Sequence, residues 1–286
     1  MHAPRSHQRP ARGSDRIWLI AGTGEGPALT AALRERGWRL RVSLVGAQAG
    51  RAYTPHPGLE LAIGAIGAMG AAVADPEAGV RAELEAAALA ADPFRWVVDA
   101  SHPFATVITA ALASVCRERR QPLLRLLRPP LHGGQVISLS GLDELQERVA
   151  PGRRLLLALG ARRLAEAISH CPQAHHHARI LPSAEGLRQA MAAGLAPERV
   201  ACLRPSADSC AVERALCRRW RIETLLARAS GGSTEAHWRA ISAERNLELL
   251  LLRRPSEPQG VEALPFAALL AKLGVPIPED AACPTS

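Results

Sequence analysis

Aromatic residues and lysine are both scarce in this sequence. Phe, Trp and Tyr make up 3% of the 286 residues, and Lys272 is the single lysine among 35 basic residues, so arginine carries nearly all of the net charge of +8. A basic protein binds nucleic acid, a membrane surface or an acidic small molecule. Because no basic run is interleaved with aromatic residues that would stack on bases, nucleic acid is disfavoured and an acidic ligand is favoured.

Long apolar runs are absent as well. No run approaches the roughly 18 residues needed to span a bilayer, and residues 1–15 are basic and polar without the apolar centre of a signal peptide. We therefore expect residues 1–15 to be a disordered tail, and the protein to be cytoplasmic without membrane association.

Metal-binding patterns are missing too. The six cysteines contain no Cys-x-x-Cys pair and no Cys/His spacing suited to structural zinc, so free thiols are expected. The run His175-His176-His177 lacks a neighbouring acidic or cysteine partner, which favours a strand at the surface over a metal site. No metal ion is therefore predicted.

The chain does contain a regular alternation of short β-type runs and longer amphipathic runs. It continues through both halves and predicts an α/β protein with two Rossmann-like parallel-sheet domains flanking a central cleft. The expected boundaries are residues 16–128 for an N-terminal NADP-binding domain, 129–275 for a C-terminal substrate domain and 276–286 for a tail. A ligand is expected in the cleft, at the carboxyl ends of the strands.

The first strand-to-helix turn reads Ala21-Gly22-Thr23-Gly24-Glu25-Gly26-Pro27. Such a turn directs the backbone N–H groups of a helix N-terminus at a pyrophosphate. Relative to the fingerprint G-x-G-x-x-G, Pro27 replaces the third glycine, and Ala28 is the small residue expected to take over its packing role. The predicted cofactor contacts are Gly22, Thr23, Gly24 and Glu25. The alternative is a glycine-rich turn without a ligand.

The end of the second strand indicates which dinucleotide binds. NAD sites place an acidic residue there for the ribose 2′-hydroxyl, whereas NADP sites place Arg and hydroxyl donors for the 2′-phosphate. Here no acid follows before Glu60, while Ser43 and Arg51 are present, which predicts NADPH. The alternative is that Arg51 is a solvated surface residue. The Tyr-x-x-x-Lys pair of short-chain dehydrogenases is excluded, because the single tyrosine, Tyr53, is far from Lys272.

The run Val97-Val98-Asp99-Ala100-Ser101-His102-Pro103 places a hydroxyl and an imidazole where an apolar strand gives way to a helix. The carboxyl edge of a parallel sheet is where ligands are contacted. Ser101 is therefore predicted to contact the cofactor, and His102 to contact the cofactor or the substrate. A purely structural histidine is the alternative.

In the second half, Arg228-Ala229-Ser230-Gly231-Gly232-Ser233-Thr234 follows a β-type run and opens a helix. Small residues, free N–H groups and an arginine suit an anion, and without a dinucleotide fingerprint a substrate carboxylate is the better candidate. The predicted substrate contacts are Arg228, Ser230, Gly231, Gly232 and Thr234. A helix N-terminus capped by Ser233 or Thr234 is the alternative.

Together these motifs resemble the precorrin-6A reductase family of cobalamin biosynthesis. The resemblance is carried by AGTGEG, VSLVGAQAGR, VVDASHPFA with PLLRLLRPP, ARILPS, and RASGGSTEAHW before LLRRP, over about Ile17 to Leu273. It implies NADPH-dependent reduction of one double bond in a carboxylate-rich corrin precursor, precorrin-6A or cobalt-precorrin-6A. It also implies a substrate contact by Arg179, proton donation by His102 in competition with bound water, and a strand exchange that would blur the boundary near Arg128.

Two segments depart from the family pattern. Arg228-Ala229 stands where a Lys before an Asn/Asp-Ser-Gly element is usual, and Leu203-Arg204-Pro205-Ser206 stands where Gln-Gly-Pro-Phe is expected. Arg228 keeps the positive charge with a different shape, and Ala229 lacks a polar side chain. The alternative to an active reductase is therefore a non-catalytic or regulatory protein of this family that binds NADP or a tetrapyrrole. We expect a monomer or a weak homodimer.

Overall fold

The computed structural model describes residues 15–64, 66, 75–204, 206 and 209–274. These residues form two compact units. The first contains the described residues up to Leu127 together with those from Ser256 onward, and the second is Arg128–Pro255. Except for Asp15, the predicted tails at residues 1–15 and 276–286 lie outside the described residues.

The secondary structure alternates between strands and helices along the chain. The strands are β1 (Arg16–Ala21), β2 (Arg39–Leu44), β3 (Leu59–Ile63), β4 (Trp96–Ala100), β5 (Leu123–Leu126), β6 (Ile137–Leu139), β7 (Arg154–Leu157), β8 (His175–Ile180), β9 (Val200–Cys202), β10 (Thr224–Arg228), β11 (Glu248–Leu252) and β12 (Glu262–Leu264). The α-helices are α1 (Glu25–Glu35), α2 (Ala47–Gly50), α3 (Pro76–Leu89), α4 (Thr106–Glu118), α5 (Leu145–Arg148), α6 (Leu164–His170), α7 (Ala184–Ala192), α8 (Ala211–Arg219), α9 (Ser233–Arg245) and α10 (Phe266–Leu273). Among the described helices, none has both the length and the hydropathy that a bilayer span requires.

Each unit contains one six-stranded parallel sheet. The strand orders are β12-β5-β4-β1-β2-β3 in the first unit and β6-β11-β10-β7-β8-β9 in the second. All of the strand pairs are parallel. If β1–β5 and β7–β11 are each numbered 1 to 5, both sets follow the doubly wound order 3-2-1-4-5. A sixth strand, β12 in the first sheet and β6 in the second, pairs with strand 5. The predicted α/β class with two Rossmann-like parallel sheets is confirmed.

The sixth strand of each sheet pairs with a strand that is distant in the sequence. β6 follows β5 in sequence but pairs with β11, and β12 follows β11 but pairs with β5. This is the strand exchange that the family resemblance implies.

The predicted domain boundary is wrong for residues 256–275, whose described part belongs to the first unit. Glu262–Leu264 pairs with β5, and α10 buries Leu269, Leu270 and Leu273 in the core that also contains β1 and β2. A strand of three residues is too short to show a period of two, so the pattern predicts one continuous helix from Val261. The helix in fact begins at Phe266, directly after Pro265.

The central strands are buried on both faces, which explains their continuous apolar sequence. In β1, Ile17 and Leu19 face one hydrophobic core, whereas Trp18 and Ile20 face another. Successive residues of a strand point to opposite faces, so a sheet covered by helices on both sides needs an unbroken apolar run. The places left open to a ligand are the loops at the carboxyl ends of the strands.

Candidate functional site

In the first unit, the loops that follow β1 and β4 lie side by side. The Gly22 N–H donates to the Ala100 carbonyl at 3.3 Å, and Thr23 Oγ1 donates to the same oxygen at 3.4 Å. A Cβ at Gly22 would lie 3.3 Å from the backbone nitrogen of His102 and 3.4 Å from Ser101 Cα. Glycine is therefore favoured at position 22, because two backbone segments approach closely there. The structure brings Gly22, Thr23, Ser101 and His102 together.

The N-terminus of α1 is open in the manner expected of a phosphate site. Its N-cap, Gly24, is exposed and has no side chain to cap the helix, and a Cβ there would have no neighbour within 4 Å. Glu25 is the first residue of the helix. A carboxylate at this place repels a pyrophosphate, so Glu25 is suited to contribute its backbone N–H and not its side chain.

Gly26 takes the packing role that the sequence analysis assigns to Ala28. A Cβ at Gly26 would lie 2.3 Å from Tyr53 Oη and 3.0 Å from Ala21 Cβ, whereas Ala28 is exposed. The assignment to Ala28 is therefore wrong, and the turn uses its third glycine one position earlier than the usual fingerprint. Tyr53 is buried against this glycine, and burial raises the pKa of its hydroxyl to about 12.

The loop after β4 holds His102 with a defined ring orientation. His102 is half-buried, and its Nδ1 accepts a hydrogen bond from the Phe104 N–H at 3.2 Å. In a neutral ring with this bond, the proton is on Nε2. The imidazole is therefore oriented as a donor through Nε2.

A buried polar network under this loop is not anticipated by the sequence analysis. Asp99 on β4 forms an ion pair with Arg125 on β5, and both residues are at most 3% exposed. Asp99 also accepts from the Ser101 N–H at 2.9 Å and from Thr109 Oγ1 at 2.8 Å, while Arg125 Nε binds Glu257. The signal that could have revealed the network is a charged residue within each of two apolar strand runs, VVDA and LLRL.

The two residues predicted to select NADPH have different environments. Ser43 is 6% exposed, and its Oγ accepts a hydrogen bond from Trp18 Nε1 at 2.9 Å inside the sheet. A ligand has no access to that hydroxyl, so the prediction that Ser43 contacts the cofactor is withdrawn. Arg51 is exposed directly after α2, at the carboxyl end of β2, where the 2′-position of a bound dinucleotide is expected.

In the second unit, the loop after β10 is closely packed and contains a glycine with positive φ. Gly231 has φ +72°, and a Cβ there would lie 2.5 Å from the Pro129 carbonyl oxygen. The Gly231 N–H donates to Glu235 Oε2 at 2.7 Å, so a carboxylate of α9 holds the loop in place. Gly232 is the N-cap of α9, and Thr234 is half-buried in its first turn. Ser230 is buried, and its N–H donates to the Arg228 carbonyl at 2.8 Å.

Two further arginines contact this loop. Arg254 donates to the Ala229 carbonyl at 3.2 Å and to the Arg128 carbonyl at 2.7 Å, and Arg128 reaches the Ser230 carbonyl at 3.5 Å. They belong to the RPP and RRP segments of the motifs described above, but their part in this loop is visible only in the fold. Together with Arg228 they give the carboxyl end of β10 a strong positive charge.

Arg228 extends from the end of β10 towards the loop that follows β7. Its Nη2 lies 3.9 Å from the position of a Cβ on Gly160. Burial, together with the charge of nearby Arg163, lowers the pKa of Arg228 to about 10. The guanidinium stays protonated at neutral pH, and an anion bound beside it would relieve the cost of burying that charge.

Arg179 has an internal partner. It lies in β8, is 7% exposed, and donates to Glu213 Oε1 on α8 at 3.2 Å. Burial lowers the pKa of Arg179, while the Glu213 carboxylate opposes that shift. Because the guanidinium is inside the unit, the predicted substrate contact by Arg179 is withdrawn in favour of a buried ion pair.

The histidine run lies in β8, but two of its members are not at the surface. His176 and His177 are buried, and His176 Nε2 lies 3.5 Å from Cys171 Sγ. The expectation of a surface strand is therefore correct only for His175, which is exposed. In the described part of the chain, no group of three or more His, Cys, Asp or Glu side chains is arranged to hold a metal ion.

Comparison with known proteins places this arrangement in a family. The model of the family "Precorrin-6x reductase CbiJ/CobK" matches residues 16–272. The chain belongs to the precorrin-6x reductase family. As a member of this family it is an oxidoreductase.

Relatives in the precorrin-6x reductase family match over most of their length. A cobalt-precorrin-6A reductase from Synechocystis sp. is 30% identical over 250 residues, which cover 85% of this chain and 90% of that protein. A precorrin-6A reductase from Mycobacterium tuberculosis is 30% identical over 251 residues, which cover 87% and 93%. The solved structure of a CobK precorrin-6A reductase has a TM-score of 0.69 at 21% identity and covers 91% of this chain and 98% of its own, which shows a shared fold.

The departures from the family pattern are now placed in the fold of this reductase. The backbone of Ala229 binds β11 through its N–H, which donates to the Leu252 carbonyl at 2.9 Å, and its own carbonyl accepts from Arg254. The loop therefore keeps its frame without a polar side chain at position 229. In the other departing segment, Leu203 continues from β9, whereas Pro205 lies outside the described residues.

Proposed function

We propose that this chain catalyses the NADPH-dependent reduction of one ring double bond in precorrin-6A or cobalt-precorrin-6A. The relatives in its family carry both substrate names. The observation that carries the proposal is the pairing of the open α1 N-terminus with the His102 loop, linked by the two hydrogen bonds to the Ala100 carbonyl. This arrangement supports a dinucleotide site with a proton donor next to it.

The residues present fit a dinucleotide. Gly24 leaves open space in front of the α1 N-terminus, where backbone N–H groups would bind the pyrophosphate. Gly22 and Thr23 shape the turn, and Arg51 is exposed where a 2′-phosphate would be recognised. When bound, NADPH supplies the hydride, and the protein supplies orientation and a proton.

The chain's own residues would complete the reaction. His102 would donate its Nε2 proton to one carbon of the ring double bond, while the other carbon receives the hydride. Bound water is the competing proton donor. In the second unit, Arg228 and the N–H groups of Gly232 and Thr234 would bind ring carboxylates. The Gly231 N–H is already bonded to Glu235, so Gly231 would contribute only to the shape of the loop. Because the loop around Ala229 keeps its frame, an active reductase is favoured over the non-catalytic alternative.

The cofactor assignment is tested with Arg51→Ala. Loss of a charge-assisted contact to the 2′-phosphate should weaken NADPH binding about tenfold or more and leave NADH binding within about twofold. Arg117→Ala removes another exposed arginine of the first unit and serves as the matched control. If Arg51→Ala changes the affinity for neither dinucleotide, the NADPH assignment fails.

The reaction itself is tested by anaerobic incubation with NADPH and with metal-free or cobalt-containing ring, side by side. Oxidation of NADPH together with a reduced ring supports the reductase, and it identifies which ring is used. Binding of ring and NADPH without oxidation supports the non-catalytic alternative. His102→Gln should lower kcat by about a hundredfold at similar KM if the imidazole donates the proton. An unchanged kcat would assign the proton to water.

We further propose that the enzyme acts in the cytoplasm as a monomer or a weak homodimer. Support for the location comes from the relatives, which are reductases of precorrin-6A or cobalt-precorrin-6A. Analytical ultracentrifugation over a range of concentrations tests the oligomeric state, and a stable higher oligomer would contradict it.

A further inference from the structure

The first unit buries an ion pair directly under its proposed catalytic loop. Asp99 is 1% exposed and Arg125 is 3% exposed, and they lie on the neighbouring strands β4 and β5. A buried ion pair is a weaker source of stability than apolar residues of similar volume. Stability therefore does not account for this pair, and its contacts show what else it does.

The contacts of the pair converge on Ser101 and on the helix that follows the loop. Asp99 Oδ1 accepts from the Ser101 N–H at 2.9 Å, and Asp99 Oδ2 accepts from Thr109 Oγ1 at 2.8 Å. Arg125 Nη1 donates to Thr109 Oγ1 at 2.8 Å, and Ser101 Oγ lies 3.3 Å from the same oxygen. A threonine hydroxyl has one proton, which goes to Asp99, so Thr109 accepts from both Arg125 and Ser101. The direction of every hydrogen bond in the network is thereby determined.

The same strand end sets the position of the loop that contains Gly22. Ala100 lies between Asp99 and Ser101, and its carbonyl accepts from the Gly22 N–H and from Thr23 Oγ1. We propose that Arg125, Asp99 and Thr109 are positioning residues that hold Ser101 and His102 in register with Gly22 and Thr23. The kinetic part of this proposal rests on the proposed reductase function.

The most exposed member of the network, Glu257, lies in the segment from Ser256 onward, which belongs to the first unit. Arg125 Nε binds Glu257, which follows the second unit in sequence. The guanidinium is thus oriented from two sides, by Asp99 inside and by Glu257 at the margin. The hydrogen-bond network is therefore complete only when the segment from Ser256 onward packs against the rest of the first unit.

The decisive variants change the hydroxyl of Thr109. Thr109→Val keeps the side-chain shape and removes the hydroxyl, whereas Thr109→Ser keeps the hydroxyl. Thr30→Val is the matched control, because Thr30 is a 3% exposed threonine of the same unit whose hydroxyl has no hydrogen-bond partner within the described structure. Each variant is assayed with NADPH and ring well below its unfolding temperature.

Thr109→Val should lower kcat about tenfold, because displacement of a catalytic group by a fraction of an ångström is costly, while KM for NADPH changes less than about twofold. Thr109→Ser should recover most of the activity, and Thr30→Val should match the wild type. A wild-type kcat in Thr109→Val overturns the proposal, as does a folded Thr109→Ser that stays as slow as Thr109→Val.

A second readout does not depend on turnover. In the 15N-labelled protein, the His102 Nδ1 resonance, assigned with His102→Gln, reports the hydrogen bond from the Phe104 N–H. It should shift in Thr109→Val and stay unchanged in Thr30→Val. If the wild type reduces neither ring, the reductase proposal fails, and an unchanged His102 resonance in Thr109→Val separately overturns the positioning role. If Thr109→Val does not fold, Glu257→Gln, at the margin of the network, replaces it with the same expected direction in both readouts.

Discussion

At the scale of single residues, Gly26 shows how a neighbouring side chain can make glycine necessary at a position. Its φ is helical and any residue could adopt it, but Tyr53 Oη occupies the space that a Cβ would need. Tyr53 itself is buried in the core that contains β1 and β2. The glycine is thus required by packing and not by backbone conformation.

Gly26→Ala should therefore destabilise the first unit by about 1–3 kcal/mol through overpacking. Adding Tyr53→Phe should recover at least half of that loss, because the clashing hydroxyl is removed and the next ring atom lies 3.5 Å away. Gly24→Ala, where a Cβ meets nothing, should leave the unfolding temperature unchanged. Thermal unfolding of the three variants checks this, and equal losses in Gly26→Ala with and without Tyr53→Phe would contradict the packing argument.

The buried histidines of β8 make the second unit sensitive to acid. Burial lowers the pKa of both His176 and His177 below the ordinary 6.5, and His177 packs against Trp220 with ring centroids 4.9 Å apart. The folded state therefore binds protons less readily than the unfolded chain. The contribution of these two neutral side chains to the stability of the fold is complete above pH 6.5. It is lost as the pH falls towards their lowered folded-state pKa values.

The unfolding temperature of the second unit should accordingly fall as the pH is lowered from about 7 to about 5. His177→Gln should flatten this dependence, because one of the two buried groups no longer titrates. His175→Gln changes the exposed member of the same run and should leave the dependence intact. Calorimetry across a pH series measures both, and an identical slope in wild type and His177→Gln would refute the assignment.

At the scale of elements, the two proposed ligand loops use glycine for different physical reasons. The loop after β1 favours glycine at position 22 because another loop passes close to it. The loop after β10 needs Gly231 both for its positive φ and for its approach to the Pro129 carbonyl. The requirement at Gly231 is the stricter one, since the Pro129 oxygen would lie 2.5 Å from its Cβ, compared with 3.3 Å for the nearest atom at Gly22.

Gly231→Ala should therefore cost about 1 kcal/mol for the left-handed conformation and about 1–3 kcal/mol more for the clash with Pro129. Gly194→Ala is the matched control, since Gly194 has φ +85° and its Cβ would have no neighbour within 4 Å. Chemical denaturation of the two variants isolates the cost of the close approach. Equal losses would show that the backbone contact is unimportant.

At the scale of the whole molecule, the first sheet combines two separate segments of the chain, and both sheets pair strands that are distant in the sequence. The first needs β12 beside β5, and the second needs β6 beside β11. Pairing strands far apart in sequence carries a larger loop-closure entropy than pairing neighbours. Apolar contacts of α10 with the core of the first unit help to offset that cost.

Leu269→Ala in α10 tests this organisation. Leu269 is fully buried in the core of the first unit, so its truncation should cost about 2–5 kcal/mol there. Hydrogen exchange should accelerate in β1 and β2 and remain slow in β7 and β8. Leu187→Ala, at a half-exposed position on α7 of the second unit, provides the control. Acceleration in β7 and β8 instead would place α10 with the second unit.

The sequence by itself determined the architecture class and most of the residues that line the proposed site. Strands buried on both faces must be apolar throughout, so runs such as IWLI are visible without a structure, and Pro and Gly mark the turns between them. Gly22, Thr23, Ser101 and His102 follow from that pattern, because the carboxyl ends of neighbouring strands meet at one edge.

Only the tertiary structure decided which side chains face inward and which strands exchange. Ser43 and Arg179 have the residue types expected at a ligand site, yet Trp18 and Glu213 bind them inside their units. The pairing of β12 with β5, and of Asp99 with Arg125, depends on contacts between distant segments. Local sequence patterns indicate which secondary structure a segment forms and which of its faces is buried. The partners of each strand and each charged side chain depend instead on packing and on the need to satisfy buried charge.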